Sequence, residues 1–252
     1  MTKLIACMPV RNEQWILSKT LTDLSTYVDE IVIVDDGSTD DTPEIIRSFP
    51  KVTKIHTNPP GTKPFGNGQE SDNRNKTLQM ARERNADWVL QIDADERFEP
   101  RFKDEIHNLI DRGCSTKFRV LHFWEDTSQF RVDGEWGGFF RYCLFRLKPR
   151  MRFSPQHIIA TPKAFDRKNR YKSDIKLLHY GWIHPQQRER SLLRYYEVYK
   201  LKYPEKTVSF EQFKVSTEMQ TDLRIVKQDA ENLTTIPWEQ EMGDLDRKDY
   251  IL

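Results

Sequence analysis

Short apolar segments alternate with helical patterns over roughly the first 110 residues of the 252-residue chain, and this alternation constrains the fold more than any other feature. Strand-like runs occupy residues 3–10, 30–36, 51–57 and 88–92. After the first run, apolar residues from Leu17 to Val28 are spaced three and four apart, which is the spacing of one helical face. Neighbouring parallel strands need such helical crossovers. The sequence therefore predicts an α/β fold with a mostly parallel central sheet flanked by helices.

Local signals predict where several helices begin. Thr42 is expected to cap a helix that has Pro43 at its first position. The stretch 58–73, which contains several Gly and Pro residues, is expected to be a loop before a helix near Lys76–Arg84. More amphipathic segments then predict partly antiparallel strands, followed by a helix over 186–203. The expected buried stripe of that helix consists of Leu192, Leu193, Tyr196, Tyr199 and Tyr203.

Polar groups follow three of the predicted strands directly. The segments PVRNE, VDDGSTDDT and DADE lie at residues 9–13, 34–42 and 93–96. Taken singly, VDDGS could be only a capped turn. In open α/β sheets, however, ligands bind outside the carboxyl ends of the strands, so the three segments are expected to converge on one crevice. Carboxylates at successive strand ends would repel one another, which predicts that something cationic binds there.

The spacing of Asp93 and Asp95 indicates which cation this is. If the strand geometry continues, residues two apart face the same side. Carboxylate oxygens suit Mn²⁺ or Mg²⁺, and such a site leaves positions open for phosphate oxygens. The chain has no GxxxxGK[ST] sequence, and its GNG at 66–68 follows no strand fingerprint, which disfavours P-loop and dinucleotide-binding enzymes. The sequence therefore predicts a divalent cation that holds a diphosphate.

Three segments occur in a characteristic order, namely MPVRNEQWILSKTL, EIVIVDDGSTDDTPEII and NRNKTLQMARERNADWVLQIDADE. Together they resemble family 2 glycosyltransferases of the GT-A fold, closely over residues 3–110 and more faintly to about 185. The resemblance implies transfer of a sugar from a nucleotide diphosphate to an acceptor hydroxyl, with inversion and with Mn²⁺ or Mg²⁺ at a DXD motif. It also implies a GT-A domain at 1–185, with nucleotide-sugar binding in 1–110 and an acceptor half in 111–185. A C-terminal helical extension and acidic tail would follow at 186–252.

The resemblance also implies roles for individual residues. Nucleotide-sugar contacts are expected from Pro9, Arg11, Glu13, Asp35, Asp36, Arg74, Asp93 and Ala94. Metal ligation is expected from Asp95 and from His179 in LLHYGW. His157 lies where some relatives carry a His-Glu pair, but Ile158 replaces the acid here. The catalytic base is left open between Asp126 in FWED, Asp133 and Glu135 in VDGEWGG.

Charge is segregated along the chain. Residues 139–206 hold 17 Lys and Arg against 5 Asp and Glu, although the net charge of the whole chain is +1. This block is either a solvated surface or a docking face for an anionic acceptor. The expected acceptor is a cell-surface or lipid-linked glycan, and modified nucleic acid, as in DNA glycosylation, is the alternative. The expected donor is UDP-linked.

Two other functional classes are weaker. A nucleotidyltransferase usually has a Gly-rich, basic loop after its first strand, and PVRNEQ lacks one. A catalytically silent binding module would have little reason to keep its acidic residues. No apolar stretch is long enough to span a bilayer, and the three cysteines form no metal or disulfide pattern. We therefore expect a cytoplasmic protein, with peripheral contact at the inner face of the membrane as an option.

Overall fold

The computed structural model describes residues 2–60, 68–127, 129–131, 138–154, 162, 168–219 and 235–237. Contacts divide the chain into two compact units. The first unit comprises residues 1–119 and 140–177, and the second comprises 120–139 and 178–252. Among the described residues, no helix is both long enough and apolar enough to cross a membrane.

Strands and helices alternate through the first unit, as the sequence predicts. The strands are β1 (Leu4–Val10), β2 (Glu30–Asp35), β3 (Val52–Thr57), β4 (Trp88–Gln91), β5 (Glu96–Phe98), β6 (Ser115–Phe123), β7 (Gln129–Arg131), β8 (Phe140–Arg146), β9 (Arg170–His179) and β10 (Thr235–Pro237). The helices are α1 (Leu17–Leu24), α2 (Thr42–Ser48), α3 (Gln69–Glu83), α4 (Phe102–Asp111), α5 (Pro185–Lys202) and α6 (Phe210–Met219). β6 and β9 each run from the first unit into the second.

The sheet of the first unit is parallel at its centre. β1 lies between β2 and β4 and is parallel to both, and β3 extends the parallel part beyond β2. β8 then pairs antiparallel with β4, and β6 pairs antiparallel with β8. Val10 lies opposite Asp35, and Cys7 lies opposite Gln91. The carboxyl ends of β1, β2 and β4 therefore meet at one edge, where parallel sheets bind ligands.

The central strands are buried on both faces, because helices pack on both sides of a parallel sheet. One core cluster joins strand residues with α3 and consists of Ile5, Cys7, Val32, Val34, Leu78, Met80, Ala81, Val89, Phe145, Met151 and Phe153. Phe98 stacks on Phe102 of α4 with ring centroids 3.8 Å apart. Phe118 meets both rings edge-on, which joins α4 to β6. This apolar core fixes the strand ends that carry the polar segments.

The second unit is built from aromatic contacts. The end of β6 pairs antiparallel with β7, and β7 pairs with β10. Trp124 and Trp182 stack with centroids 6.1 Å apart and pack with the buried Leu192 of α5. Tyr196 of α5 lies against the ring of Phe213 on α6, which holds the two helices together.

The predicted α/β fold is confirmed, and the sheet is parallel at its centre and antiparallel beyond β4. Several details differ. α3 begins at Gln69, not near Lys76. The prediction missed its first turns because their buried residues are polar and show no apolar periodicity. Thr42 is the first residue of α2, not its cap, and its hydroxyl accepts from the Glu13 N–H at 2.8 Å. Of the predicted stripe on α5, Leu192 is buried but Leu193 is 44% exposed. One of the amphipathic segments predicted to form strands is HIIATPK (157–163), and it lies outside the described residues except for Pro162.

Candidate active site

The loops that follow β1 and β2 are joined into one wall. The Asn12 side-chain oxygen accepts from the Thr39 N–H at 2.8 Å, and the Asn12 N–H donates to the Ser38 hydroxyl at 2.9 Å. The Glu13 N–H donates to Thr42, and the Glu13 carboxylate accepts from the Trp15 indole N–H at 2.8 Å. The first two polar segments therefore lie side by side, as the parallel order of their strands requires.

The turn after β2 depends on Gly37. Asp35 is buried, and its carboxylate accepts from the Ser38 N–H at 3.0 Å. Gly37 has a φ of 72°, and a Cβ at this position would lie 2.9 Å from the Pro59 carbonyl oxygen. Only glycine satisfies both the backbone angle and the close approach. Asp35 therefore stabilises this turn, whereas its expected contact with the nucleotide sugar stays a prediction.

Asp36 is held by a network of amide side chains. Its Oδ1 accepts from Asn58 Nδ2 at 2.7 Å and from Gln69 Nε2 at 2.8 Å. The same two amides also donate to Asn73 Oδ1, at 2.8 and 3.2 Å. Arg11 NH1 lies 3.9 Å from the second Asp36 oxygen. Because a carboxylate only accepts, these contacts fix the orientation of both amides and the plane of the Asp36 carboxylate.

Asn58, Gln69 and Asn73 were missed in the sequence, because all three fall in the stretch assigned to a loop. One feature of the sequence could have identified two of them. Gln69 and Asn73 are four residues apart, which places them on one face of a helix once α3 is extended back to Gly68. The φ of 81° at Gly68 marks that start.

Two arginines hold the carboxylate of Asp93. Arg74 NH2 donates to both Asp93 oxygens at 2.8 and 3.2 Å, and Arg141 NH1 donates to Oδ2 at 2.8 Å. Arg74 also bonds the Glu70 carboxylate one helical turn earlier. Both guanidiniums are buried, with side chains only 6% and 8% exposed. Arg141 was not singled out in the sequence, and only the pairing of β8 with β4 brings it to this site.

Glu96 is part of the same network. It is 2% exposed, forms an ion pair with Arg141, and accepts from the Asp93 N–H at 2.9 Å. The Glu96 N–H in turn donates to the Asp93 carbonyl at 3.1 Å. Residues 93–96 therefore form a closed turn. Glu96 stabilises this turn and is not exposed toward a ligand.

Arg74 and Arg141 reduce the repulsion between carboxylates that the sequence predicted at this site. Burial alone would raise the pKa of Asp93, but Arg74 and Arg141 outweigh it and hold that pKa well below its usual range. Burial opposes the charged form of Arg141 as well, yet Glu96 and Asp93 raise its pKa well above its ordinary value. Burial raises the pKa of the neighbouring Cys143 thiol to about 11, so this cysteine is a neutral core residue. The repulsion expected among carboxylates is thus relieved at Asp93 and Glu96 by protein cations.

Asp95 and Ala94 occupy the middle of the turn. Ala94 is buried, and its carbonyl accepts from the Thr20 hydroxyl at 2.6 Å, which ties the turn to α1. Asp95 is half-buried. A carboxylate at the carboxyl end of a parallel strand suits a hard cation that takes its remaining ligands from phosphate and water. In the described part of the chain, no three His, Cys, Asp or Glu side chains are grouped in a way that could hold a metal ion.

His179 and the three candidates for the catalytic base belong to the second unit. His179 lies 3.1 Å from His122, measured between the two Nδ1 atoms. Glu125 and Asp126 are exposed, and Glu125 has a φ of 67°, which is unusual for a residue other than glycine. The preceding Trp124 is buried against Trp182 and Arg131. Asp133, Glu135, His157 and Ile158 lie outside the described residues.

Comparison with known proteins gives consistent results. The model of the glycosyl transferase family 2 matches residues 5–170. A TPR repeat-containing protein of Synechococcus elongatus is 30% identical over 159 residues, which cover 62% of this chain and 35% of that protein. An uncharacterized glycosyltransferase of Rickettsia typhi is 29% identical over 139 residues, covering 52% of this chain and 43% of that protein. The chain thus spans well under half the length of these relatives.

Among solved structures, S. aureus TarS 1-349 superposes with a TM-score of 0.53 at 14% identity. The superposition covers 91% of this chain and 76% of that one. The similarity establishes a shared fold.

Proposed function

Because this chain belongs to the glycosyl transferase family 2 and has its GT-A fold, we propose that it is a metal-dependent glycosyltransferase that uses a nucleotide diphosphate sugar. One observation carries the proposal. The loops after three adjacent parallel strands bring Asp36, Asp93 and Asp95 to one edge of the sheet. That edge is where such sheets bind nucleotides.

The nucleoside would lie against the loops after β1 and β2, beside Pro9, Arg11 and Glu13. The Asp36 carboxylate, fixed by its amide partners, would accept a hydrogen bond from a ring N–H of the base. Uracil has such an N–H and cytosine does not. TarS, which has a similar fold, has been crystallised with UDP-GlcNAc, and on this basis we propose a UDP-linked donor.

Asp95 would hold Mn²⁺ or Mg²⁺ together with the diphosphate of the donor. When bound, the ion would supply positive charge for the departing nucleoside diphosphate. Arg74 and Arg141 would keep the Asp93 carboxylate charged and in place beside it. Participation of His179 in the same metal site stays a prediction.

A carboxylate would accept the proton of the acceptor hydroxyl as that oxygen attacks the anomeric carbon, with inversion. Asp126 is proposed as this base because it is exposed and follows a residue in the left-handed region, next to a packed tryptophan pair. Backbone strain of this kind is often found at functional sites. Asp133 and Glu135 remain the alternatives.

The acceptor is proposed to be anionic. In the first unit, Lys172 Nζ lies 4.3 Å and Lys117 Nζ lies 5.1 Å from the centre of the Phe140 ring. Two ammonium groups beside one aromatic ring suit an acceptor that combines phosphate or carboxylate groups with sugar or base rings. A phosphorylated or acidic glycan is the proposed class, with nucleic acid as the alternative within the same chemistry.

A thermal-shift panel tests the proposal. UDP-, GDP-, CDP- and dTDP-sugars are each added with and without Mn²⁺ to the wild type and to Asp95→Asn. A ligand that binds only the native state raises the melting temperature. We expect stabilisation by a UDP-sugar that increases with Mn²⁺ in the wild type but not in Asp95→Asn. The absence of stabilisation by every donor, together with no donor hydrolysis, would refute the proposed function.

A further inference from the structure

We propose that Arg141 is a positioning residue for the metal site, because it holds the turn 93–96 that presents Asp95. The inference rests on the proposed function. Every nitrogen of the Arg141 guanidinium has an acceptor. NH1 bonds Asp93, NH2 bonds Glu96 and approaches the Gln91 carbonyl at 3.5 Å, and Nε lies 3.3 Å from the Cys143 sulfur. A guanidinium group that is bonded at each nitrogen has little freedom to rotate.

The contacts of Arg141 reach both ends of the turn. Asp93 is its first residue and Glu96 its last, and the Glu96 carboxylate also accepts from the Asp93 N–H at 2.9 Å. Arg141 therefore fixes a carboxylate that in turn fixes the backbone. Asp95 lies between these two anchored residues, so its position follows from theirs.

Arg74 does not duplicate this role. It contacts Asp93 and Glu70 from α3, and none of its described contacts reaches Glu96. Arg141 comes from β8, the strand that pairs with β4 directly before the turn. Loss of Arg141 would leave Asp93 bonded to Arg74 from one side and would remove the Arg141–Glu96 ion pair.

The test must separate positioning from simple charge balance. Arg141→Met alone removes the Arg141 cation from the buried Glu96 carboxylate and is at risk of not folding. The double variant Glu96→Gln/Arg141→Met removes both charges, and its glutamine oxygen can still accept from the Asp93 N–H. Arg146→Met is the matched control, since Arg146 is an exposed arginine on the same strand.

Three readouts are compared between the wild type and these variants. They are UDP binding without metal, Mn²⁺ binding in saturating UDP followed by electron paramagnetic resonance, and hydrogen exchange of the Asp93 and Glu96 amides. For the double variant we expect UDP binding without metal close to wild type. We expect Mn²⁺ affinity to fall about 10–100-fold, the range for loss of an outer partner of a metal ligand. We expect exchange of both amides to accelerate about tenfold or more as the turn loosens. Arg146→Met should match the wild type.

Wild-type Mn²⁺ affinity and unchanged amide exchange in the double variant would overturn the inference, because Arg141 would then only neutralise Glu96. If the wild type itself binds no nucleotide, the proposed function fails. The exchange measurement needs no ligand, so it still decides whether Arg141 holds the turn.

Discussion

The guanidinium of Arg74 donates to both carboxylate oxygens of Asp93, which joins α3 to the end of β4 across 19 sequence positions. The same helix carries Gln69 and Asn73, which belong to the Asp36 network. One helix thus connects the turn proposed to bind the base with the turn proposed to bind the diphosphate. Its buried polar face explains why its first turns lack apolar periodicity.

Replacement of Arg74 by methionine is expected to lower the free energy of unfolding by about 3 kcal/mol. Breaking a buried ion pair costs about 3–5 kcal/mol. The lower end is expected here, because the Asp93 side chain is 28% exposed and keeps its bond to Arg141. Urea denaturation followed by circular dichroism measures the loss. Arg47→Met is the control, because the Arg47–Glu44 pair is exposed and should contribute under about 1 kcal/mol. Equal losses in the two variants would contradict a structural role for the Arg74–Asp93 pair.

Much of the fold could be predicted because runs of apolar residues indicate which segments are buried. The apolar runs that became β1, β2 and β4 are buried on both faces, and polar residues follow each run directly. The convergence of their carboxyl ends then follows from parallel pairing alone. The acidic residues of DADE could be identified for the same reason, because they directly follow one of these runs.

The partners of these acidic residues could not be predicted. Arg141 lies 48 positions from Asp93 and reaches it only through the antiparallel pairing of β8 with β4. Asn58 meets Asp36 from the end of β3, and its type alone suggests only a turn. Pairings between distant segments depend on strand order and register, which a local pattern does not specify.

Replacement of Gly37 by alanine is expected to destabilise the protein more than the same change at Gly113. Both glycines have a positive φ, of 72° and 68°, so both substitutions carry the cost of a left-handed residue, about 1–2 kcal/mol. A Cβ at Gly113 meets nothing within 4 Å, whereas at Gly37 it lies 2.9 Å from the Pro59 carbonyl oxygen. Urea denaturation measures how much each substitution lowers the free energy of unfolding. The difference between the two losses gives the cost of the close approach to Pro59. Equal values would show that the loop after β3 shifts at little cost.

Replacement of Gln69 by leucine is expected to weaken binding of UDP about tenfold. The change removes one of the two amide donors that orient Asp36, and a tenfold effect corresponds to about 1.4 kcal/mol, near the lower end for a hydrogen bond to a charged group. Isothermal titration calorimetry measures the affinity. Gln79→Leu on the exposed face of the same helix should bind UDP as the wild type does, since the hydrogen bonds of Gln79 within the described part of the chain go to Lys76 and Glu83. A tenfold loss in both variants would indicate damage to α3 rather than to Asp36.

Replacement of Asp126 by asparagine is expected to reduce sugar transfer at least about 100-fold while leaving UDP-sugar binding within about twofold. General base catalysis contributes about 10²–10⁴-fold, and an amide cannot accept the proton of the hydroxyl. Transfer is measured with saturating donor and a panel of acidic glycans and oligonucleotides. Glu125→Gly is the neighbouring control, because glycine accepts the φ of 67° without strain. Full transfer activity in Asp126→Asn would contradict Asp126 as the base and would favour Asp133 or Glu135.

The Asp93 carboxylate should also make stability depend on pH in the acid range. Its pKa is held below the usual value in the folded protein, so it stabilises the fold above about pH 4, the unfolded value. This contribution falls as the pH drops toward the folded pKa, because the unfolded chain then binds the proton first. Wild type and Asp93→Asn are compared by urea denaturation from pH 7 to pH 3. The asparagine variant should be the less stable at pH 7, since Arg74 and Arg141 lose their carboxylate. The gap between the two proteins should narrow by about 1 kcal/mol at pH 3. A difference in stability that stays constant over this range would mean that Asp93 has the same pKa in the folded and unfolded protein. That result would contradict its pairing with the two arginines.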